Sequence, residues 1–106
     1  MVRRGEVWLA TLDPTRGSEI RKTRPCLVVS PPEMNAHLRT AIVAPLTRGS
    51  GPAPFRIPVR FVGKSGLILL DQIRTLDQLR LVKRLGAVSN RTLSATLIKL
   101  QEVFAA

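Results

Sequence analysis

The sequence holds one cysteine, Cys26, and one histidine, His37. A lone cysteine excludes an internal disulfide. Two such residues cannot make a His/Cys zinc cluster. One histidine also rules out a two-histidine acid–base pair within a single chain, and neither a GxGxxG nor a P-loop pattern is present. Long apolar runs are missing too. None approaches the 18 or so residues that a membrane-spanning helix needs. The opening "MVRRGEVWLATL" carries charge but has no apolar signal region and no small-residue cleavage site, so it reads as a strand rather than a signal peptide. A cytoplasmic location is the expectation. Tyrosine is absent and aromatics make up only 4% of residues. Negative charge is scarce, with 7 acidic residues against 17 basic ones.

What is present follows from that imbalance. The formal net charge is +10, the isoelectric point is about 11.7, and thirteen of the 17 cations are arginine. A basic chain of this size implies a polyanionic partner, most often nucleic acid. Arginine suits it, because the guanidinium forks onto phosphates and stacks on bases. With so few aromatics, base stacking would fall to arginine planes, Phe55 or Trp8; Trp8, in mid-strand, reads as core. The 106 residues are 44% hydrophobic, enough for one globular domain over residues 1–106. A core this small gains from a homodimer.

Along the chain, "GEVWLATL" alternates as a first strand. Asp13–Thr23, with Pro, Gly, Ser and a crowd of charges, reads as a long functional loop. "PCLVVSP" is a buried strand, and "PPEMNAHLR" holds one helical turn. "TAIVAPLT" is a third strand, "RGSGPAP" a loop, and "FRIPVRF", alternating around Pro58, an edge strand. "GLILLDQIRTL" starts as a buried strand and turns polar at Asp71, and "LVKRLGAV" is a last strand. A helix capped by Ser89 or Asn90 follows, with Leu93, Leu97, Leu100 and Phe104 on one stripe. The expected fold class is mostly β: five or six strands in a small antiparallel barrel with a packed C-terminal helix.

Polar residues gather at the strand ends: Arg24 at the start of the second strand, Thr47 and Arg48 at the end of the third, and Asp71, Gln72 and Arg74 after "GLILL", with Glu19 in the long loop. Convergence of those ends on one rim would make a cleft. Pro25 raises a particular question, since it sets Arg24 hard against a buried strand.

At this point "RRGEVWLATLDPTRGSEIRKTRPCLVVSP", "TAIVAPLT" and "GLILLDQIRTLD" resemble the MazF/PemK family of toxin endoribonucleases, from about Arg4 to about Leu85. The resemblance implies an SH3-like barrel of the CcdB/MazF type. It implies a homodimeric, metal-independent and cofactor-free enzyme that cuts single-stranded RNA, mRNA included, at specific sequences. The ends would be a 2′,3′-cyclic phosphate and a 5′-hydroxyl, and an acidic cognate antitoxin would silence the activity. Carried over by matching position, Arg24 of the "RP" pair and Thr47 of "APLT" are catalytic. Glu19 is the nearby carboxylate that could move a proton. Ser18, Ser30, Arg48, Gln72 and Arg74 line the RNA groove. Two other classes share the features above. A CcdB-like gyrase poison has the same fold but acts through its C-terminal helix, and a non-catalytic basic barrel would bind nucleic acid without cutting it.

Overall fold

The computed structural model describes residues 1–12, 23–49 and 51–106. Ser18 and Glu19 lie outside them. Among the described residues, seven strands form one antiparallel sheet: β1 (Glu6–Thr11), β2 (Thr23–Val28), β3 (Thr40–Thr47), β4 (Arg56–Phe61), β5 (Lys64–Leu69), β6 (Arg74–Asp77) and β7 (Leu81–Ala87). The spatial order is β4-β5-β3-β2-β1-β7, with β6 also on β3. The sheet curls as a half-barrel, and helix α2 (Asn90–Phe104) follows it. A short helix, α1 (Pro32–His37), joins β2 to β3, opening on a proline whose missing N–H is no loss in a first turn.

β3 organises the sheet. Its residues, buried or half-buried throughout, sit between two neighbours at once. On one side Cys26, Leu27 and Val28 of β2 face Pro45, Ala44 and Val43. On the other side β3 changes partner along its length. Thr40–Val43 pair with β6, whereas Leu46 and Thr47 pair with β5. Pro45 lies in the gap between the two ladders, where a residue without an N–H is accommodated most easily.

This exchange explains the one departure in strand count. "GLILLDQIRTL" is two strands, β5 and β6, separated by a 3₁₀ turn at Leu70–Gln72. The turn lets one chain segment serve both halves of β3. β4 is a terminal strand, as Pro58 requires. The β4–β5 hairpin turns on Val62 and Gly63, both with positive φ (52° and 72°), the signature of a tight primed turn.

Two clusters form the core, one on each face of the sheet. Ala10, Cys26, Val28, Ala41, Val43, Leu76 and Leu81 make the first, with Trp8 packed against it. Val7, Leu27, Ala44, Leu46, Ile68 and Leu70 anchor the second. Ser89 caps α2, its hydroxyl accepting from the Thr92 amide at 3.1 Å. The stripe on α2 is only partly covered. Leu100 packs on the second cluster, but Phe104 is 72% exposed. Among the described residues, no helix is long and apolar enough to cross a membrane.

Candidate active site

Cross-strand partners share a face of the sheet. Arg24, Cys26 and Val28 therefore point one way, as do Val43, Pro45 and Thr47 of β3. Arg74, opposite Val43 on β6, and Leu76 join them. This is the face of the first cluster. Continuing the β2–β3 register by two residues sets Arg24 across from Thr47. Arg24, Thr47 and Arg74 thus extend the buried rows to their rim, and all three are half-buried.

Cys26 reports on that rim. Burial pushes its thiol up to about 12, and the nearby Arg24 and Arg74 charges oppose the rise without overcoming it. Cys26 therefore stays protonated at neutral pH and is excluded as a nucleophile. It also places both guanidinium groups near one buried sulfur.

The backbone explains why Arg24 sits against Pro25. β2 begins at Thr23, with Arg24 opposite Ala10 and Pro25 opposite Leu9 of β1. Cys26, Leu27 and Val28 just beyond are fully buried. The arginine leaves a backbone held by a neighbour strand, a fixed proline φ and a core anchor, so little of its main chain can move.

The remaining sequence-predicted residues divide. Arg48 and Gln72 are exposed. Arg48 follows the end of β3 and lines a cleft of about 280 Å³ with Thr47, Leu46, Phe61, Lys64 and Ser65. Gln72 lies in the 3₁₀ turn two residues before Arg74. Ser30 is only 2% exposed. Its hydroxyl donates to Asn35 Oδ1 and accepts from the Ile42 amide, tying the α1 connection to β3. It is committed inside the protein and is not presented on the rim.

Several cations that the sequence did not single out have structural work. Arg56 holds both Asp71 carboxylate oxygens at 3.2–3.3 Å and donates to the Gly51 carbonyl at 2.9 Å. Arg56 is the main reason, with a smaller contribution from Gln72, that the Asp71 carboxyl lies below its ordinary value. Arg84 donates to Glu6 at 2.6 Å. Burial works to raise the Glu6 carboxyl, but hydrogen bonds from Arg84, Trp8 and the Arg3 amide outweigh it and leave it lowered. Arg80 donates to the Thr11 and Leu12 carbonyls, fixing the end of β1. The nearest sequence signal for these contacts is strand register, which requires knowing which strands meet. Among the described residues, no three His, Cys, Asp or Glu side chains gather as metal ligands.

A curled antiparallel sheet with a trailing helix is the fold of the solved MazF toxins. Residues 3–104 match the family model described as PemK-like, MazF-like toxin of type II toxin–antitoxin system, and the chain belongs to that family. It is 37% identical over 108 residues to "Endoribonuclease PemK" of Escherichia coli, covering 96% of this chain and 81% of the relative. It is 39% identical over 95 residues to "Endoribonuclease MazF" of Staphylococcus epidermidis, covering 84% and 79%. The fold matches a MazE–MazF crystal structure from Deinococcus radiodurans with a TM-score of 0.82 at 26% identity, covering 96% of this chain and 94% of that one. MazF alone from the same organism matches at 0.81 and 25%, covering 99% and 97%.

Proposed function

We propose that the protein is a toxin endoribonuclease that cuts single-stranded RNA, mRNA included, at specific sequences and without a metal ion. The observation that carries this is the register that sets Arg24 across from Thr47 on a rim shared with Arg74. In the proposed reaction the substrate's own 2′-oxygen attacks the adjacent phosphorus and the P–O5′ bond breaks. The 2′-hydroxyl proton departs and a proton reaches the 5′-oxygen. The products are a 2′,3′-cyclic phosphate and a 5′-hydroxyl. No protein nucleophile takes part, consistent with a protonated Cys26.

Arg24 forks onto the phosphate and stabilises the charge that grows on its oxygens. The Thr47 hydroxyl adds a neutral, weaker bond. An arginine with a pKa above about 12 is a poor base, so its proposed role is electrostatic. Glu19 is the carboxylate proposed to move a proton. Arg48, Gln72, Arg74 and Ser18 are proposed to bind the flanking RNA. The apolar residues that α2 leaves exposed, Ile98, Val103 and Phe104, support a homodimer.

The inhibitor is proposed to be an acidic cognate antitoxin whose poorly ordered tail competes with RNA for the rim. Relatives solved as MazE–MazF complexes support such a partner. Charge steering would make its association rate fall with salt.

The test is incubation with single-stranded RNA in excess EDTA, followed by analysis of the ends. Cleavage leaving a cyclic phosphate is the expected result. Cleavage that needs added Mg²⁺, a shift without cutting, or gyrase-dependent DNA damage would each overturn the proposal.

A further inference from the structure

Thr47 is the last residue of β3, and on the β5 side it is held by two rungs only, Leu46 with Ile68 and Thr47 with Leu67. Beside the second rung stands Gly66. A Cβ built there would lie 2.7 Å from the Thr47 carbonyl oxygen, 3.5 Å from its carbon and 3.6 Å from Arg48 Cγ. The nearest atom is backbone, so no side-chain rotation relieves the contact. Ordinary Cβ contacts begin near 3.4 Å, and real ones under 3.0 Å are essentially never seen. Gly66 also pairs with Val59 across the hairpin, which keeps β5 from simply sliding away. A methyl group at position 66 must therefore push the peptide after Thr47 by several tenths of an ångström.

We propose that Gly66 is a positioning residue for the cleavage reaction: its missing side chain lets β5 approach the end of β3 closely enough to set the Thr47 hydroxyl at the phosphate. The Thr47 hydroxyl is otherwise steadied only weakly, accepting from the Gly49 amide at 3.4 Å. Its place is inherited from its backbone, and the backbone is set by the β3–β5 distance. Small displacements of groups that meet a transition state are felt strongly in the rate. The inference rests on the role proposed above for Thr47.

The test is a double-mutant cycle on single-turnover cleavage at saturating protein, which separates chemistry from RNA binding. Gly66→Ala is expected to lose about five- to tenfold, no more than Thr47→Ala. In a Thr47→Ala background, Gly66→Ala is expected to change the rate by less than about twofold, because the hydroxyl it positions is gone. Gly51→Ala, where a Cβ meets nothing within 4 Å, should cleave normally. Equal losses from Gly66→Ala in both backgrounds would overturn the proposal. So would full activity of Gly66→Ala alongside an impaired Thr47→Ala. Loss of the folded circular-dichroism spectrum in Gly66→Ala would also overturn it, since the displacement would then not be confined to the end of β3. A fully active Thr47→Ala would instead remove the role of Thr47 itself, and the positioning role with it.

Discussion

Arg24 and Arg84 stand on β2 and β7, the two strands flanking β1, yet they are chemically opposite. Arg84 is committed at 2.6 Å to Glu6, and Arg56 likewise to Asp71 at 3.2 Å. Among the described residues, Arg24 makes no ion pair and projects beside Thr47 from a rigid strand. The net charge of +10 is thus sorted by the fold. Some cations fasten the sheet, whereas Arg24 is proposed to meet an anion from outside. Composition announces a polyanion partner, but only strand register tells the two groups apart.

The sharpest way to break the comparison is Arg24→Ala. Cleavage should fall at least about two orders of magnitude, the loss typical of one transition-state donor, while the protein stays folded and still binds RNA. Arg84→Ala should leave single-turnover cleavage within about twofold, as expected for a surface pair away from the site. Near-normal cleavage by Arg24→Ala would end its assignment.

Thr47→Ala should cost about tenfold at most, since a neutral hydrogen bond contributes up to about 1.5 kcal/mol. An effect as large as that of Arg24→Ala would mean that Thr47 does more than donate one bond.

The committed pairs should show themselves in acid rather than in activity. The Glu6 and Asp71 carboxyls lie below their ordinary values of 4.5 and 3.8. Folding therefore favours their ionised forms, and the stability they contribute is present above those values and lost as the pH falls through and below them. Thermal unfolding followed from pH 7 to pH 3 should decline mainly at the acid end. Arg84→Gln and Arg56→Gln should flatten that decline, each by less than about 1 kcal/mol. No difference from the unaltered protein at pH 7 would show that the pairs contribute nothing to stability.

The smallest effect concerns the tip of the β4–β5 hairpin. Val62 holds a φ of 52°, a region that β-branched residues avoid. Val62→Asn should raise stability by about 1 kcal/mol or less in denaturant unfolding, with cleavage unchanged.

How much of this was legible in the sequence depended on how local the cause was. Strand β3 spans Thr40–Thr47, the whole of "TAIVAPLT", because a buried β-branched run carries its own signal. The Ser89 cap and the edge position of β4 were readable for the same reason: serine and proline act on their own backbone. The break of "GLILLDQIRTL" into β5 and β6 was not. It is imposed by β3 exchanging partners, a contact between distant segments. The burial of Ser30 was hidden likewise, since its partner Ile42 lies on another strand. The Arg56–Asp71 pair depends on the β4–β5 register. Arg24 and Thr47 were singled out by family resemblance and their place at strand ends, but only the β2–β3 register sets them face to face. Ser18 and Glu19 fall outside the described residues.

The central claim is that Arg24 meets an RNA phosphate while the committed arginines do not. Its most direct test is the salt dependence of binding to a single-stranded RNA made uncleavable by 2′-O-methyl groups. Each phosphate contact on a single strand contributes about 0.7 to the slope of log affinity against log salt. Arg24→Ala should lower that slope by about 0.7, and Arg84→Ala should leave it unchanged. An unchanged slope for Arg24→Ala, or equal losses from the two variants, would contradict the account.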